Sequence, residues 1–479
     1  MTNQLFDFGM IGLGVMGQNF LYNLADHNFK VIGFDKDTKK TSALEQGATP
    51  GTHVKGVNSL EEMVASLAKP RRLMLLVPAG KPVDDVIESL KPLVEPGDII
   101  IDGGNSHYTD TLRRVNYLNE TGIHFMGMGV SGGEQGARRG PSIMPGGNEV
   151  AWQTVKPVLE AVAAKVHDVP CVAYLGKGAA GHFVKMVHNG IEYAIMQLIS
   201  EAYDILRRGV GLTNPELHEV FKTWNESELE SFLIEITSEI FKQKDDKTDG
   251  YLIDQILDKA GSKGTGKWTS QDALNLPVPI PTIDMAVTMR NISSFKTERL
   301  TAAELYPSAV KPIPLPKEVF IKEVKNALAF SIVISYAQGL AMLQKASSEL
   351  DMQIPLPEVV KVWRGGCIIR SILLDMFSAA FAKDAKLSNI LLDKGVSEWL
   401  LARESDLRKV SALIVHAGYP AGSLLSSLSY FDAYRSGTMP TNLIQAQRDF
   451  FGAHTYQRID SGDKFFHTEW DEKKPEDIR

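Results

Sequence analysis

Two hydrophobic patterns divide the chain. Up to about Gly178 the apolar residues come in short, β-rich runs separated by helical segments, and beyond it they recur with the longer helical period. Residues 6–11 and Val31–Phe34 read as strands flanking a helical segment. Residues 71–78 and 97–105 read as further short buried strands, each after a helical segment, and 122–133 as another strand ending in a glycine-rich loop. Such alternation predicts an α/β domain of the doubly wound type, Rossmann-like, with a parallel sheet over residues 1–178. A large all-α domain is predicted over 179–436, followed by a C-terminal tail, 437–479.

The helical part reads as a duplication. Residues 183–206 align with 320–343: Phe183 matches Phe320, Lys185 matches Lys322, Asn189 matches Asn326 and Leu206 matches Leu343. A weaker echo pairs 229–236 with 369–376. Two copies of one helical unit explain both. In the first copy Lys185, His188, Asn189, Glu192 and Tyr193 fall at i, i+3, i+4, i+7 and i+8, one stripe on an otherwise apolar helix. An unpartnered buried charge is costly, so the stripe is expected to line a cleft. In the second copy Lys325 replaces His188 and Ala329 replaces Glu192, which points to the first copy as the functional one.

Composition narrows the class. The 479 residues suffice for two or three domains, and a net charge of −7 argues against general nucleic-acid binding. Two distant cysteines, Cys171 and Cys367, make neither a disulfide framework nor a zinc motif. No metal-ligand constellation is evident, so side chains are expected to carry the acid–base chemistry. No secretion signal or membrane span is read, and the expected location is cytoplasmic.

The first strand leads into Gly12-Leu13-Gly14-Val15-Met16-Gly17, and the second ends at Asp35. In this strand–turn–helix setting GxGxxG binds a dinucleotide. Gly12 permits the turn, Gly14 lets the backbone approach the pyrophosphate, Gly17 allows close helix packing, and free amides at the helix start hold the phosphates. Ligands then lie beyond the carboxyl ends of the strands, where Asn105 and Ser131-Gly132-Gly133 fall. "GSKGTGKW" (261–268) fits GxxxxGK, but Trp268 stands where a P-loop needs Ser or Thr and a helical pattern precedes it, so a smaller phosphate is expected at Lys263, Thr265 and Lys267. Arg290, Arg448 and His454 add basic groups. The last residues, 457–479, are polar and expected to be mobile.

A dinucleotide site beside a Lys/Glu cleft implies hydride transfer from a hydroxyl-bearing carbon, with a base for the hydroxyl proton. Lys185 serves only when neutral, which burial favours, and Glu192 lies about 10 Å along the helix on the same face. The basic groups imply a phosphorylated substrate.

Assembled, these motifs (GLGVMGQN, DGGNS, GVSGGEQGARRGPS, KMVHNGIEY, KGTGKW and QAQRDFFGAHTY) resemble those of the 6-phosphogluconate dehydrogenases, in their long, duplicated form, essentially end to end. The resemblance implies oxidative decarboxylation of 6-phospho-D-gluconate to D-ribulose 5-phosphate and CO2 with reduction of NADP, a step of the oxidative pentose phosphate pathway. It assigns the C3 hydroxyl proton to Lys185 and protonation of C1 to Glu192. Ser131, Gly132, Gly133, His188, Asn189 and Asn105 are assigned to the carboxylate and hydroxyls. Tyr193, Lys263, Thr265, Arg290, Arg448 and His454 are assigned to the phosphate end, the last two supplied by the other subunit of a homodimer. Gly12, Leu13, Gly14, Val15, Met16, Gly17, Asp35, Lys36, Asp37, Val77, Pro78, Ala79 and Asn105 are expected at the cofactor. One departure concerns NADP: the family commonly has Asn-Arg-Thr after the second strand, and here the stretch is Asp35-Lys36-Asp37-Thr38-Lys39. An acidic residue there suits the ribose 2′-OH of NAD, with Lys36 and Lys39 as compensating cations for NADP. NAD use, a related β-hydroxyacid dehydrogenase and a non-enzymatic NADP-binding protein remain as alternatives on the residues.

Overall fold

The computed structural model describes residues 5–307 and 310–470. Seven strands, β1 (Phe8–Ile11), β2 (Val31–Phe34), β3 (Val54–Val57), β4 (Arg72–Leu75), β5 (Ile99–Asp102), β6 (His124–Ser131) and β7 (Ser142–Gly147), form one sheet in the order β3-β2-β1-β4-β5-β6-β7. Helices α1 (Val15–Asp26), α2 (Thr38–Leu44), α3 (Leu60–Ala65), α4 (Lys81–Leu90), α5 (Tyr108–Asn119), α6 (Gly133–Arg139) and α7 (Glu149–Val162) connect or follow the strands. Period-two alternation sends side chains to both faces. Phe8, Met10, Val31, Ile99 and Ile101 join a core with Phe20, Trp152 and Leu159, while Ile11, Ile32, Leu73 and Ile100 join Met63, Ile87 and Leu118 on the other side. The expected parallel sheet extends from β3 to β6, but β7 runs antiparallel to β6, with Met126 opposite Gly147. The physical reason is length: a parallel return needs a crossover of a dozen or more residues, and only the short α6 lies between these strands. β3 gave no apolar signal because three of its four residues are only half-buried.

The helical region comprises α8 (Ala180–Asp204), α9 (Asn214–Asn225), α10 (Phe232–Lys242), α11 (Thr265–Asn275), α12 (Pro281–Ser294), α13 (Lys296–Leu305), α14 (Lys317–Glu349), α15 (Leu356–Trp363), α16 (Leu373–Lys383), α17 (Lys394–Ala417), α18 (Gly422–Tyr434) and α19 (Thr441–Gly452). The two repeat helices, α8 and α14, pack directly on one another. α14 is long and apolar enough to cross a membrane by length and composition alone, but 89% of its most apolar window is buried inside the protein, so it is a core helix. The second copy spends its polar positions on the fold: Lys325 pairs with Glu228 at 3.0 Å and Asn326 donates to Asp406 at 2.7 Å. The segment before "GSKGTGKW", expected to be helical, is irregular after a single 3-10 turn at Leu252–Asp254.

The chain forms two compact units, divided between Ser427 and Leu428, ahead of the expected boundary at 436. In the smaller unit Asp449 is fully buried and accepts hydrogen bonds from the amides of Thr455 and Thr468, from Trp470 Nε1 at 2.8 Å and from His467 Nδ1 at 2.9 Å. Residues 471–479 of the expected mobile tail lie outside the described residues. Burial works to raise the Asp449 carboxyl, but these bonds prevail and hold it at about 2. A depressed carboxyl contributes stability above its unfolded value of about 3.9, and that contribution is lost as pH falls through the folded one. Asp449→Asn at neutral pH is therefore expected to weaken hydrogen-exchange protection of the Thr455 and Thr468 amides about tenfold or more. Unchanged protection would show that the carboxylate does not organise this unit.

Candidate active site

The glycine turn opens the cofactor side. Gly12 has φ +97°, and a side chain there would meet the Leu76 carbonyl. Gly17 lies so close beneath it that an added Cβ would sit 2.0 Å from the Gly12 oxygen. α1 begins with Gly14 at its cap and no side-chain cap, so its first amides face outward, as an anion site requires. They border a cleft of about 370 Å³ lined by Gly12, Gly14, Asp35, Lys36, Lys40, Leu76, Val77 and Pro78. Glycine backbone, free amides, apolar walls and two lysines fit a dinucleotide. Leu13 is buried behind the turn, Val15 is exposed, Met16 is half-buried, and Ala79 and Asn105 are exposed just beyond β4 and β5.

Asp35 is occupied internally. One carboxylate oxygen accepts from the Leu13 amide at 2.7 Å and the other from the Asp37 amide at 2.9 Å, with Lys40 Nζ at 3.4 Å. Burial opposes these contacts, yet they hold the carboxyl below its ordinary value. Asp37 caps α2 by accepting from the Lys39 amide at 3.0 Å. Both acidic groups thus serve the backbone. The lysines at the cleft are Lys36 and Lys40, whereas Lys39 lines a separate shallow groove with Ser42 and Gln46. Sequence reasoning missed Lys40, although its spacing, one helical turn after Lys36, was available.

The polar stripe of α8 lies at the carboxyl end of β6. Lys185 is buried, with Nζ 3.5 Å from His188 Nδ1, and His188 Nδ1 is 3.1 Å from Asn189 Oδ1. His188 Nε2 reaches Ser131 Oγ at 3.4 Å, joining the helix to the strand end beside Gly132 and Gly133. Glu192, partly open to solvent, lies 4.0 Å from His188 Nδ1. Burial lowers the Lys185 ammonium despite the opposing charge of Glu192. Burial raises the Glu192 carboxyl, against Lys185 and Arg290. Burial and the neighbouring Lys185 drive His188 well below its usual value, so it is neutral. Further along, the Arg290 guanidinium from α12 stacks 3.6 Å over the Tyr193 ring. Thr265 is buried at the start of α11, and Lys263 is exposed in the loop before it.

Two neighbours were not legible. Trp363 stands edge-on to His188 with centroids 5.9 Å apart, and the buried Cys367 lies in reach of the Lys185 charge, its thiol pushed by burial to about 12. Both come from the far half of the helical region, and the pair Gly365-Gly366 was their only local signal. Arg448 and His454 belong to the smaller unit and are exposed there. Arg448 Nη1 donates to Gln445 at 3.1 Å, and His454 meets Phe451 edge-on. Among the described residues no group of three or more His, Cys, Asp or Glu could hold a metal ion.

The fold and this site together define a dinucleotide-binding dehydrogenase. Sequence models of one family cover nearly the whole chain: "NAD binding domain of 6-phosphogluconate dehydrogenase" matches residues 7–176, and "6-phosphogluconate dehydrogenase, C-terminal domain" matches residues 181–470. The chain belongs to the 6-phosphogluconate dehydrogenase family. It is 48% identical over 466 residues to the decarboxylating 6-phosphogluconate dehydrogenase of Lactococcus lactis subsp. lactis, covering 97% of this chain and 98% of the relative. It is 50% identical over 463 residues to the NADP(+)-dependent, decarboxylating enzyme of Bacillus subtilis, covering 96% and 98%. Among solved structures, 6-phosphogluconate dehydrogenase of Plasmodium falciparum, described in its apo form and in complexes with its cofactor NADP+ and its substrate 6-phosphogluconate, superimposes with a TM-score of 0.94 at 42% identity, covering 97% of this chain and 100% of that one.

Proposed function

We propose that this protein oxidises and decarboxylates 6-phospho-D-gluconate to D-ribulose 5-phosphate and CO2, with NADP as oxidant, Lys185 as base and Glu192 as acid. The observation that carries the reading is the pair on α8: a lysine whose burial favours its neutral form, and on the same face a carboxyl whose burial favours its protonated form. Gly12, Gly14, Lys36 and Lys40 would hold NADP, which would supply the hydride acceptor for substrate C3. Lys185 Nζ accepts the C3 hydroxyl proton as that carbon becomes a ketone. The resulting ammonium donates to the ketone oxygen while C1 leaves as CO2, and returns the proton to that oxygen to give an enediol. Glu192 then delivers a proton to the carbon that becomes C1 of the product, while the now neutral Lys185 takes back the proton of the hydroxyl that becomes the C2 ketone. Ser131, Gly132, Gly133, His188, Asn189 and Asn105 hold the carboxylate and hydroxyls. Tyr193, Lys263, Thr265 and Arg290 hold the phosphate, joined in a homodimer by Arg448 and His454 of the partner subunit. Supporting the dimer, Phe450 and Phe451 beside Arg448 are 54% and 72% exposed, an apolar face suited to burial against a second chain.

Absorbance of reduced nicotinamide tests the reading, with 6-phosphogluconate and either NADP or NAD. Rapid reduction with preference for NADP is expected. No reduction with either cofactor from folded protein, or turnover of hydroxyisobutyrate instead, would sink the substrate assignment. The cleft lining carries two lysines to one carboxylate, and Lys36, together with Lys40, which pairs with Asp35 at 3.4 Å, supplies the cations for a 2′-phosphate. The double variant Lys36→Gln/Lys40→Gln is therefore expected to raise KM for NADP about tenfold to a hundredfold, with KM for NAD little changed. Equal effects on both cofactors would remove the lysines from that role.

A further inference from the structure

The two loops assigned to opposite ends of the substrate run into helices whose first turns meet. The loop after β5, which carries Asn105, continues into His107 and Tyr108 at the start of α5. The loop that carries Lys263 continues into Thr265 and Trp268 at the start of α11. Tyr108 donates its hydroxyl to Asp272 Oδ1 at 3.2 Å, and His107 Nε2 lies 3.6 Å from Asp272 Oδ2. The His107 imidazole stands edge-on to the Trp268 indole with centroids 4.9 Å apart. Tyr108 is edge-on to Phe183 of α8 at 5.0 Å. On its other side α11 is fixed to α8, where Thr269 Oγ1 donates to the Met186 carbonyl at 2.9 Å.

Asp272 is 4% exposed; its carboxylate also meets the Asn275 side chain, and among the described residues its Oδ2 has no hydrogen-bond partner within bonding distance. Burying a carboxylate with an unfilled oxygen is costly, and an apolar residue would pack the same helix face more cheaply. What the carboxylate supplies is a directed hydrogen bond to Tyr108 and a negative charge 3.6 Å from the His107 imidazole, the two residues that follow the Asn105 loop. We propose that His107, Tyr108, Trp268 and Asp272 are positioning residues that tie the phosphate-end loop to the Asn105 loop, so that engagement of the substrate phosphate sets the cofactor side for hydride transfer. Remote binding energy then improves turnover through a defined joint. The inference rests on the substrate reading above.

The test compares 6-phosphogluconate with gluconate, the same sugar acid without its phosphate, in the full-length wild type and in Asp272→Asn and Trp268→Phe. Asp272→Asn keeps the side-chain volume, and Trp268→Phe leaves the carboxylate in place, so the two variants probe the joint independently. In both, kcat/KM for 6-phosphogluconate is expected to fall about tenfold while kcat/KM for gluconate changes less than about twofold. Parallel falls for the two substrates would reduce the cluster to a general structural staple and overturn the proposal, as would unchanged values for both. Wild-type turnover is read in the same assay. A failed substrate assignment therefore shows in the wild type and overturns both readings, whereas a failed joint shows only in the variants.

Discussion

Lys185→Met is expected to lower kcat about a thousandfold while NADP binding stays within about twofold of the wild type. The residue lies on α8, and the cofactor cleft is lined from the strand ends, the Gly12–Gly14 turn, α2 and α4, so the substitution removes a proton acceptor without touching the dinucleotide site. Methionine replaces the chain of methylenes and should preserve the packing of a buried position. Lys185→Arg refines the test. A guanidinium remains charged at any accessible pH and cannot accept the hydroxyl proton, so arginine should be as inactive as methionine. The measurements are steady-state turnover and cofactor binding by fluorescence. Turnover within about tenfold of the wild type in either variant would remove Lys185 from the role of base.

Glu192→Gln is expected to lower kcat about a hundredfold, again with cofactor binding retained, because the enediol would lack its proton donor. The distinguishing signature is the pH profile. The proposed mechanism requires Lys185 neutral and Glu192 protonated. Lowering pH protonates the lysine and raising it ionises the carboxyl, so the wild-type rate should fall on both sides. The two limbs belong to the coupled pair, since the two groups perturb one another. In Glu192→Gln the alkaline fall should vanish while the acid-side fall, set by Lys185, remains. A wild-type profile in the variant would mean that C1 receives its proton from elsewhere.

Much of this was legible along the chain. GxGxxG between two strands, the stripe on an apolar helix and the duplicated pattern are local features, written in the spacing of neighbouring residues. The site gathered more distant parts. His188 of α8 meets Ser131 of β6 and Trp363 of α15, contacts between residues with several elements of the chain between them. Periodicity says which face a residue occupies, not what faces it. The same limit applies to Asp35: its position in the motif was readable, but only the fold shows that both oxygens are taken by backbone amides and that Lys40 pairs with it at the cleft.

The sequence by itself determined the dinucleotide motif, the helical duplication and the residues of the polar stripe, because hydrophobic period and glycine spacing act within one or two elements. The tertiary structure alone decided the antiparallel last strand, the structural use of Lys325 and Asn326 in the second copy, and the meeting of α5 with α11 at Asp272. The physical reason is that these depend on which buried surfaces and unpaired polar groups find one another across the chain, and a one-dimensional pattern does not encode that pairing.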